Sequence, residues 1–413
     1  MATISNGKWL GLLGVAYSLV WLVSSEGGTY MARDNASKDW RHSEPVAAQF
    51  FREGDRVCLY TLDYSGEAIV KWDLPSMRVL EIHRPKFSEP FADFLRLWLS
   101  PRFLIIQADS KRFLVDRQKS THAIPILHPI GDISVLDERC FVVWLEYPGS
   151  PALSMSGFVY RTDDSGAPEL VKQVSFELPA RRVLYRAPGS DGVKCLYIGL
   201  NAEEIPLVKD TASQDKLKSE GPLTVATVDI VKGKIVMVKN LGIHSGATVA
   251  AHNSKFNEIM VSSAVDNVIV LSAEDLRVKD KLNWSLSFPE RRKGEDGGFV
   301  DLATFAPNGQ YLAYTDMLGE VAVRQWPTGK LVLYDNNHKL LIDKYCKNIT
   351  ARDPSNVLRA ALSAALMSVR HIAFVDNRLL AVVTGSGHVY LYDIEKGQRL
   401  QTHLVCRKDF LQE

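Results

Sequence analysis

Four dispersed residues have the chemistry to hold an anion: Arg96, Arg182, His252 and His371. A guanidinium presents a fixed fork of donors, and an imidazole supplies a donor or a ligating nitrogen near neutral pH. Whether they meet depends on the elements that carry them. Catalytic constellations do not emerge. Gly242-Ile243-His244-Ser245-Gly246 places its serine one position late for a nucleophile elbow. Ser213-Gln214-Asp215-Lys216 has the Ser-x-x-Lys spacing of some acyl enzymes, but it stands in a polar stretch without companion motifs. The ten histidines include no His-x-x-x-His pair, and no CxxC occurs, so the sequence predicts no metal centre. Asp163-Asp164-Ser165-Gly166 resembles a fragment of a calcium loop, with the remaining ligands missing, and reads as a hairpin turn. Gly385-Ser386-Gly387 is another hairpin turn; no helix follows it to cradle a phosphate. The reading is therefore of no catalytic residue, no cofactor and no metal.

The elements that must position these residues are strands. One phrase recurs: an alternating strand, a tight turn, a second strand. Its copies are Val389 to Leu400, Ala68 to Val79 and Val321 to Val332. Alternation of apolar and polar residues is the mark of a half-buried strand. Recurrence every ~40–45 residues predicts stacked four-stranded units, an all-β β-propeller. Seven units fit, at 46–82, 94–126, 132–178, 182–241, 247–286, 299–334 and 369–405, with six or eight blades as alternatives. The sharpest turn is Asn308-Gly309, flanked by Phe305-Ala306-Pro307 and Gln310-Tyr311-Leu312-Ala313. In a propeller the first strand of each unit lines the axial channel. His252 and His371 fall on such strands, and Arg96 and Arg182 are assigned there with them. Polar groups beside channel water explain the same residues without a ligand.

Phe305 to Ala313, together with Trp72-Asp73 and Tyr392-Asp393 closing third strands, resembles the WD40-type repeat. The resemblance covers residue 46 to the end and implies a propeller; because propellers host many functions, it does not choose between binding and catalysis. The chain departs from the pattern in two ways. Trp-Asp closes a single repeat, and Gly387-His388 stands in an inner hairpin rather than at the family's position, so the family's hydrogen-bonded tetrad is not carried over. The first and last units each have four strands of their own, which leaves the closure of the ring open.

Three segments exceed the repeat. Trp9 to Val23 is apolar and uncharged; besides a buried helix of a soluble protein, residues 1–25 read as a retained membrane anchor or a cleaved signal. Either sends the body out of the cytoplasm. A polar linker, 26–44, leads to the propeller at 45–413. Asn201 to Gly221 is a charged insertion in the fourth unit. Residues 336–368 join the sixth and seventh units, and the second half of that insertion predicts a helix, with Pro354 in its first turn. Its Leu358, Leu362 and Leu366 recur at i, i+4, as an internal packing stripe or a partner-docking face.

A net charge of +1, with lysine and arginine scattered, argues against a nucleic-acid partner. Cys58, Cys140 and Cys195 sit in apolar strands, whereas Cys346 and Cys406 lie outside them and the sequence leaves their pairing open. Asn35, Asn283 and Asn348 begin glycosylation sequons, which matter only in a eukaryotic host. Two functional readings follow. The first is a non-catalytic scaffold outside the cytoplasm, tethered to the membrane and serving protein partners such as subunits of a membrane assembly. The second is a propeller enzyme of hydrolase or lactonase type, with a metal or anionic ligand at the channel mouth.

Overall fold

The computed structural model describes residues 46–406 except 64–67, 86–94, 109–110, 118–122, 127–132, 146–154, 164–165, 177–180, 186–193, 201–221, 230–233, 245–247, 264–266, 290–299, 317, 353–359, 361–363 and 365–366. These residues form seven four-stranded antiparallel sheets, each a meander of consecutive strands. The first sheet contains β1 (Val46–Glu53), β2 (Arg56–Asp63), β3 (Ile69–Asp73) and β4 (Val79–His83). The second contains β5 (Leu95–Leu99), β6 (Phe103–Ala108), β7 (Lys111–Asp116) and β8 (Ala123–Ile126). The third has β9 (Ile133–Val135), β10 (Cys140–Leu145), β11 (Met155–Thr162) and β12 (Pro168–Phe176). The fourth has β13 (Arg181–Tyr185), β14 (Lys194–Leu200), β15 (Pro222–Asp229) and β16 (Lys234–His244). The fifth runs β17 (Thr248–Asn253), β18 (Glu258–Ser263), β19 (Asn267–Ser272) and β20 (Val278–Ser285). The sixth runs β21 (Val300–Phe305), β22 (Tyr311–Asp316), β23 (Val321–Gln325) and β24 (Leu331–Asp335). The seventh runs β25 (Val369–Phe374), β26 (Leu379–Thr384), β27 (His388–Asp393) and β28 (Gln398–Leu404).

Side-chain alternation sends each strand's residues to two neighbouring sheets. On β1, Val46, Ala48 and Phe50 pack on the seventh sheet, while Ala47 packs on the second. Middle strands are covered on both faces and are accordingly mostly apolar, as in Phe103-Leu104-Ile105-Ile106 and Phe141-Val142-Val143-Trp144. Fourth strands such as β28 face mostly solvent and are mostly polar. Apolar clusters join the first sheet to the second, the second to the third, the fourth to the fifth, the fifth to the sixth and the sixth to the seventh. The third meets the fourth where β12 lies beside β16. First strands are one another's neighbours, β1 lying beside both β5 and β25, which puts them innermost.

The ring closes without exchanging a strand. The first and seventh sheets each keep their own four strands and share a core of Val46, Ala48 and Phe50 with Ala381, Val383 and Val389. The Val46 amide donates to the Gly385 carbonyl at 2.9 Å. At the other end of β1, the Arg52 guanidinium donates to the carbonyls of Phe374 (3.0 Å) and Val375 (3.1 Å).

Arg52 is one link in a chain of bonds between hairpin turns at that end. The Asn253 carboxamide donates to the Gly309 carbonyl at 3.0 Å, joining the fifth and sixth sheets. The Asn308 amide donates to Asn377 Oδ1 at 2.8 Å, joining the sixth and seventh. Arg117 reaches from the second sheet to Glu53 and Tyr60 of the first. Arg102 donates to the Asp163 carbonyl of the third at 3.0 Å.

The insertion before the seventh sheet contains α1 (Asn337–Arg352). It occupies the first half of that insertion, whereas the sequence places its helix in the second. The inward stripe of α1 is His338, Ile342 and Cys346, which conceals an apolar periodicity behind a histidine and a cysteine. Ala360, Ala364 and Met367, in the second half, are helical and buried against Ile342 and Cys346. Leu358, Leu362 and Leu366 lie outside the described residues, as do residues 1–25 and the linker 26–44. No helix among the described residues is long and apolar enough to cross a membrane.

Candidate functional site

Hairpin parity divides the ring into two ends. First strands begin, and fourth strands finish, at the end that carries α1. At that end the helix is fixed to the sixth and seventh sheets by a dense polar cluster. The Asn337 amide donates to Asp335 Oδ1 at 2.8 Å and starts the helix. His338, only 3% exposed, uses both ring nitrogens: Nε2 lies 2.8 Å from the Met367 carbonyl and Nδ1 lies 2.8 Å from the Tyr390 hydroxyl. A carbonyl can only accept, so Nε2 carries the proton and Nδ1 accepts from Tyr390. His388 sits 5.7 Å away, centroid to centroid, and stacks on Tyr390. Its Nδ1 is 3.0 Å from the Ser386 hydroxyl, which bonds Thr384 at 3.0 Å.

Burial holds His338 down to about 4 against the slight opposing pull of its Met367 bond and Asp335. Burial likewise holds His388 at about 4, with His338 and Arg399 adding to the effect. Arg399 lies over the Tyr390 ring at 5.3 Å and 3.7 Å from Asp335. Lys339 pairs at 3.1 Å with Glu320, a buried carboxylate that also accepts from the Tyr334 hydroxyl at 2.8 Å. Gly319 makes the space for this packing, since a Cβ there would come within 2.5 Å of the His338 ring.

The four sequence-predicted channel residues lie on innermost strands: Arg96 on β5, Arg182 on β13, His252 on β17 and His371 on β25. They belong to four different sheets, and alternation turns Arg96, His252 and His371 to different seams. Arg96 shares its face of β5 with Trp98, which packs toward the third sheet, and is exposed. His252 shares its face of β17 with Ala250, toward the fourth sheet. His371 turns to the first sheet, its ring edge-on to Phe50 at 5.8 Å. Burial lowers the proton affinity of both histidines, His371 to about 4, so near neutral pH they bring no positive charge. The Arg182 side chain lies outside the described residues. Among the described residues, no group of three or more His, Cys, Asp or Glu stands together as a metal site.

A second polar network joins the first two sheets at the opposite end. Glu53 accepts from Tyr60 at 2.6 Å and pairs with Lys71 at 2.8 Å and with Arg117. Burial alone raises the Glu53 carboxyl, but hydrogen bonds from Lys71, Tyr60 and Arg117 outweigh it and bring it down to about 2. Tyr60 and Lys71 belong to the same sheet as Glu53 and Arg117 to the next, so this network ties the two sheets together. Trp72 Nε1 donates to Thr61 Oγ1 at 2.8 Å inside the same sheet.

The sequence could not reveal the His338 cluster. Its members come from residues 319 to 399 and meet only after α1 folds back on two sheets. Cys346 and Cys406 are not joined in a disulfide: the Cys346 thiol donates to the Ala360 carbonyl at 3.4 Å, and Cys406 is buried in the seam between the first and seventh sheets.

No family model and no curated protein matches this sequence. Solved structures do match the fold. Hsv2 from Kluyveromyces lactis is 11% identical with a TM-score of 0.54, covering 88% of this chain and 100% of that one. The β-propeller domain of Cps50 (Swd1) from Myceliophteria thermophila is 15% identical with a TM-score of 0.51, covering 86% of this chain and 98% of that one. In fold, the chain is a degenerate WD40-like β-propeller. At these identities the likeness speaks for architecture alone, and the α1 cluster is a property of this chain's own residues.

Proposed function

We propose that this seven-bladed propeller is a non-catalytic scaffold, tethered to a membrane outside the cytoplasm by residues 1–25, whose protein partners bind the α1 end. One observation carries the reading: every departure from the repeat attaches at that end. The chain enters β1 there, at Val46. The polar insertion leaves β14 at Leu200 and rejoins β15 at Pro222, also there. So do the segment between β20 and β21 and the insertion containing α1. At the opposite end, turns among the described residues are bonded to one another, which leaves little irregular surface there for recognition.

Tethering fits this geometry. A flexible linker of the length of residues 26–44 spans about 25 Å on average. An anchor upstream of Val46 then turns the α1 end toward the membrane and toward the subunits of a membrane assembly. Fractionation of cells expressing the full chain and a chain lacking residues 1–25 tests the tether. The full chain is expected with the membranes and the shortened chain in the soluble fraction; equal distribution refutes the tether. Elemental analysis tests the scaffold reading against a metal-dependent propeller enzyme. One bound calcium or zinc per purified chain would contradict the scaffold.

A further inference from the structure

We propose that α1 is an acid-released latch: the His338–His388–Tyr390 cluster holds it on the seventh sheet while both imidazoles are neutral and frees it when either gains a proton. Taking up that proton breaks the present bonding pattern of a ring that is almost wholly buried. Both His338 nitrogens are already engaged, and its Nδ1 must accept from Tyr390 because Nε2–H is committed to the Met367 carbonyl. A proton on Nδ1 forces the Tyr390 hydroxyl to turn and accept, which takes its own proton away from its present acceptor. A proton on either ring also places a cation beside the other imidazole, 5.7 Å away.

The surrounding charges offer poor compensation. From β28, Arg399 lies over Tyr390 and adds positive charge. From α1 itself, Lys339 is another cation, paired with Glu320. Asp343, further along α1, is exposed to solvent. Asp316 is occupied holding the Glu320 amide at 2.8 Å. Asp335 is the carboxylate whose charge His338 feels, and it already bonds the Asn337 amide and lies beside Arg399. A charged His338 gains most by leaving for water, and α1 leaves with it.

The helix can leave without opening the ring. Its apolar contacts form a small cluster of their own, separate from the cores that join the sixth, seventh and first sheets. The direction of the dependence follows from both histidines being held below their ordinary value of 6.5, at about 4. The released state binds protons more readily than the docked state. Docking is therefore complete above about pH 6.5 and is lost as the pH falls toward about 4.

Amide hydrogen exchange of the full chain, followed by mass spectrometry and corrected for intrinsic rates, tests this. Between about pH 7 and pH 4.5, protection of residues 337–352 is expected to fall at least about tenfold, while β1 and β25–β27 keep theirs. His338→Gln keeps a donor and an acceptor without a titrating ring and should abolish most of the step. His388→Phe removes the other titrating ring and should reduce it, which keeps the test intact if the glutamine variant fails to fold. His371→Phe alters the only other strongly depressed histidine among the described residues and should leave the step unchanged. The latch is refuted if α1 protection is constant over the range, if α1 and the sheets lose protection together, or if the step survives unchanged in both the His338 and His388 variants.

Discussion

Gly397 and Gly54 separate two costs that a substituted glycine can carry. Both sit at positive φ, +62° and +60°. A Cβ on Gly397 would stand 2.6 Å from the Val332 carbonyl oxygen of the neighbouring sheet, while one on Gly54 would meet nothing within 4 Å. Gly54→Ala is expected to cost about 1 kcal/mol, the price of the backbone conformation alone. Gly397→Ala should cost about 2–3 kcal/mol, because a carbonyl cannot swing aside as a side chain can. Denaturant unfolding of the two variants measures the difference; equal losses would show that the turn does not press on the sixth sheet. The repeated phrase announced a turn here, but not its fit to the next sheet. Nor did it reveal that Met77 and Leu276 hold the same positive-φ position in the first and fifth sheets. Met77 packs on the seam between the first and seventh sheets and Leu276 is wholly buried, so at these positions packing has replaced backbone freedom.

Strands, with their alternation and turn residues, were legible as elements throughout; the faces they present were not. His252 and His371 were assigned to inner strands, and they are there, but alternation within the strand decides which seam each one meets. α1 was harder to see because its buried stripe of His338, Ile342 and Cys346 lacks the leucine periodicity that marks residues 358 to 366. Bonds between turns were invisible, since the partners of Arg52 are 322 and 323 positions away. They also yield a specific expectation. Arg52→Ala removes two charge-assisted bonds across the closing seam and should destabilise the chain by about 1–2 kcal/mol. Hydrogen exchange should rise first around Phe374 and Val375. An unchanged exchange pattern there would mean that the shared apolar core closes the ring unaided.

As a whole molecule, the ring has a plain end and an elaborated one. Turn-to-turn bonds tie the plain end from the fifth sheet round to the third. At the other end lie α1, the roots of the polar insertion and the start of β1. The four-stranded repeat was legible in the sequence; that the points where the extra segments join it share an end emerges only when the strands are given directions. The central claim, that partners bind the α1 end, is tested most directly by affinity capture from native membranes with surface variants of each end. On α1, Leu340, Lys344 and Lys347 are exposed, and at the opposite end Lys255 and Glu274 are exposed. Leu340→Ser with Lys344→Glu and Lys347→Glu is expected to lose captured partners about tenfold or more, a loss of about 1.4 kcal/mol or more in affinity. Lys255→Glu with Glu274→Lys is expected to retain them. Full capture by the α1 variant, with loss confined to the opposite-end variant, would contradict the account.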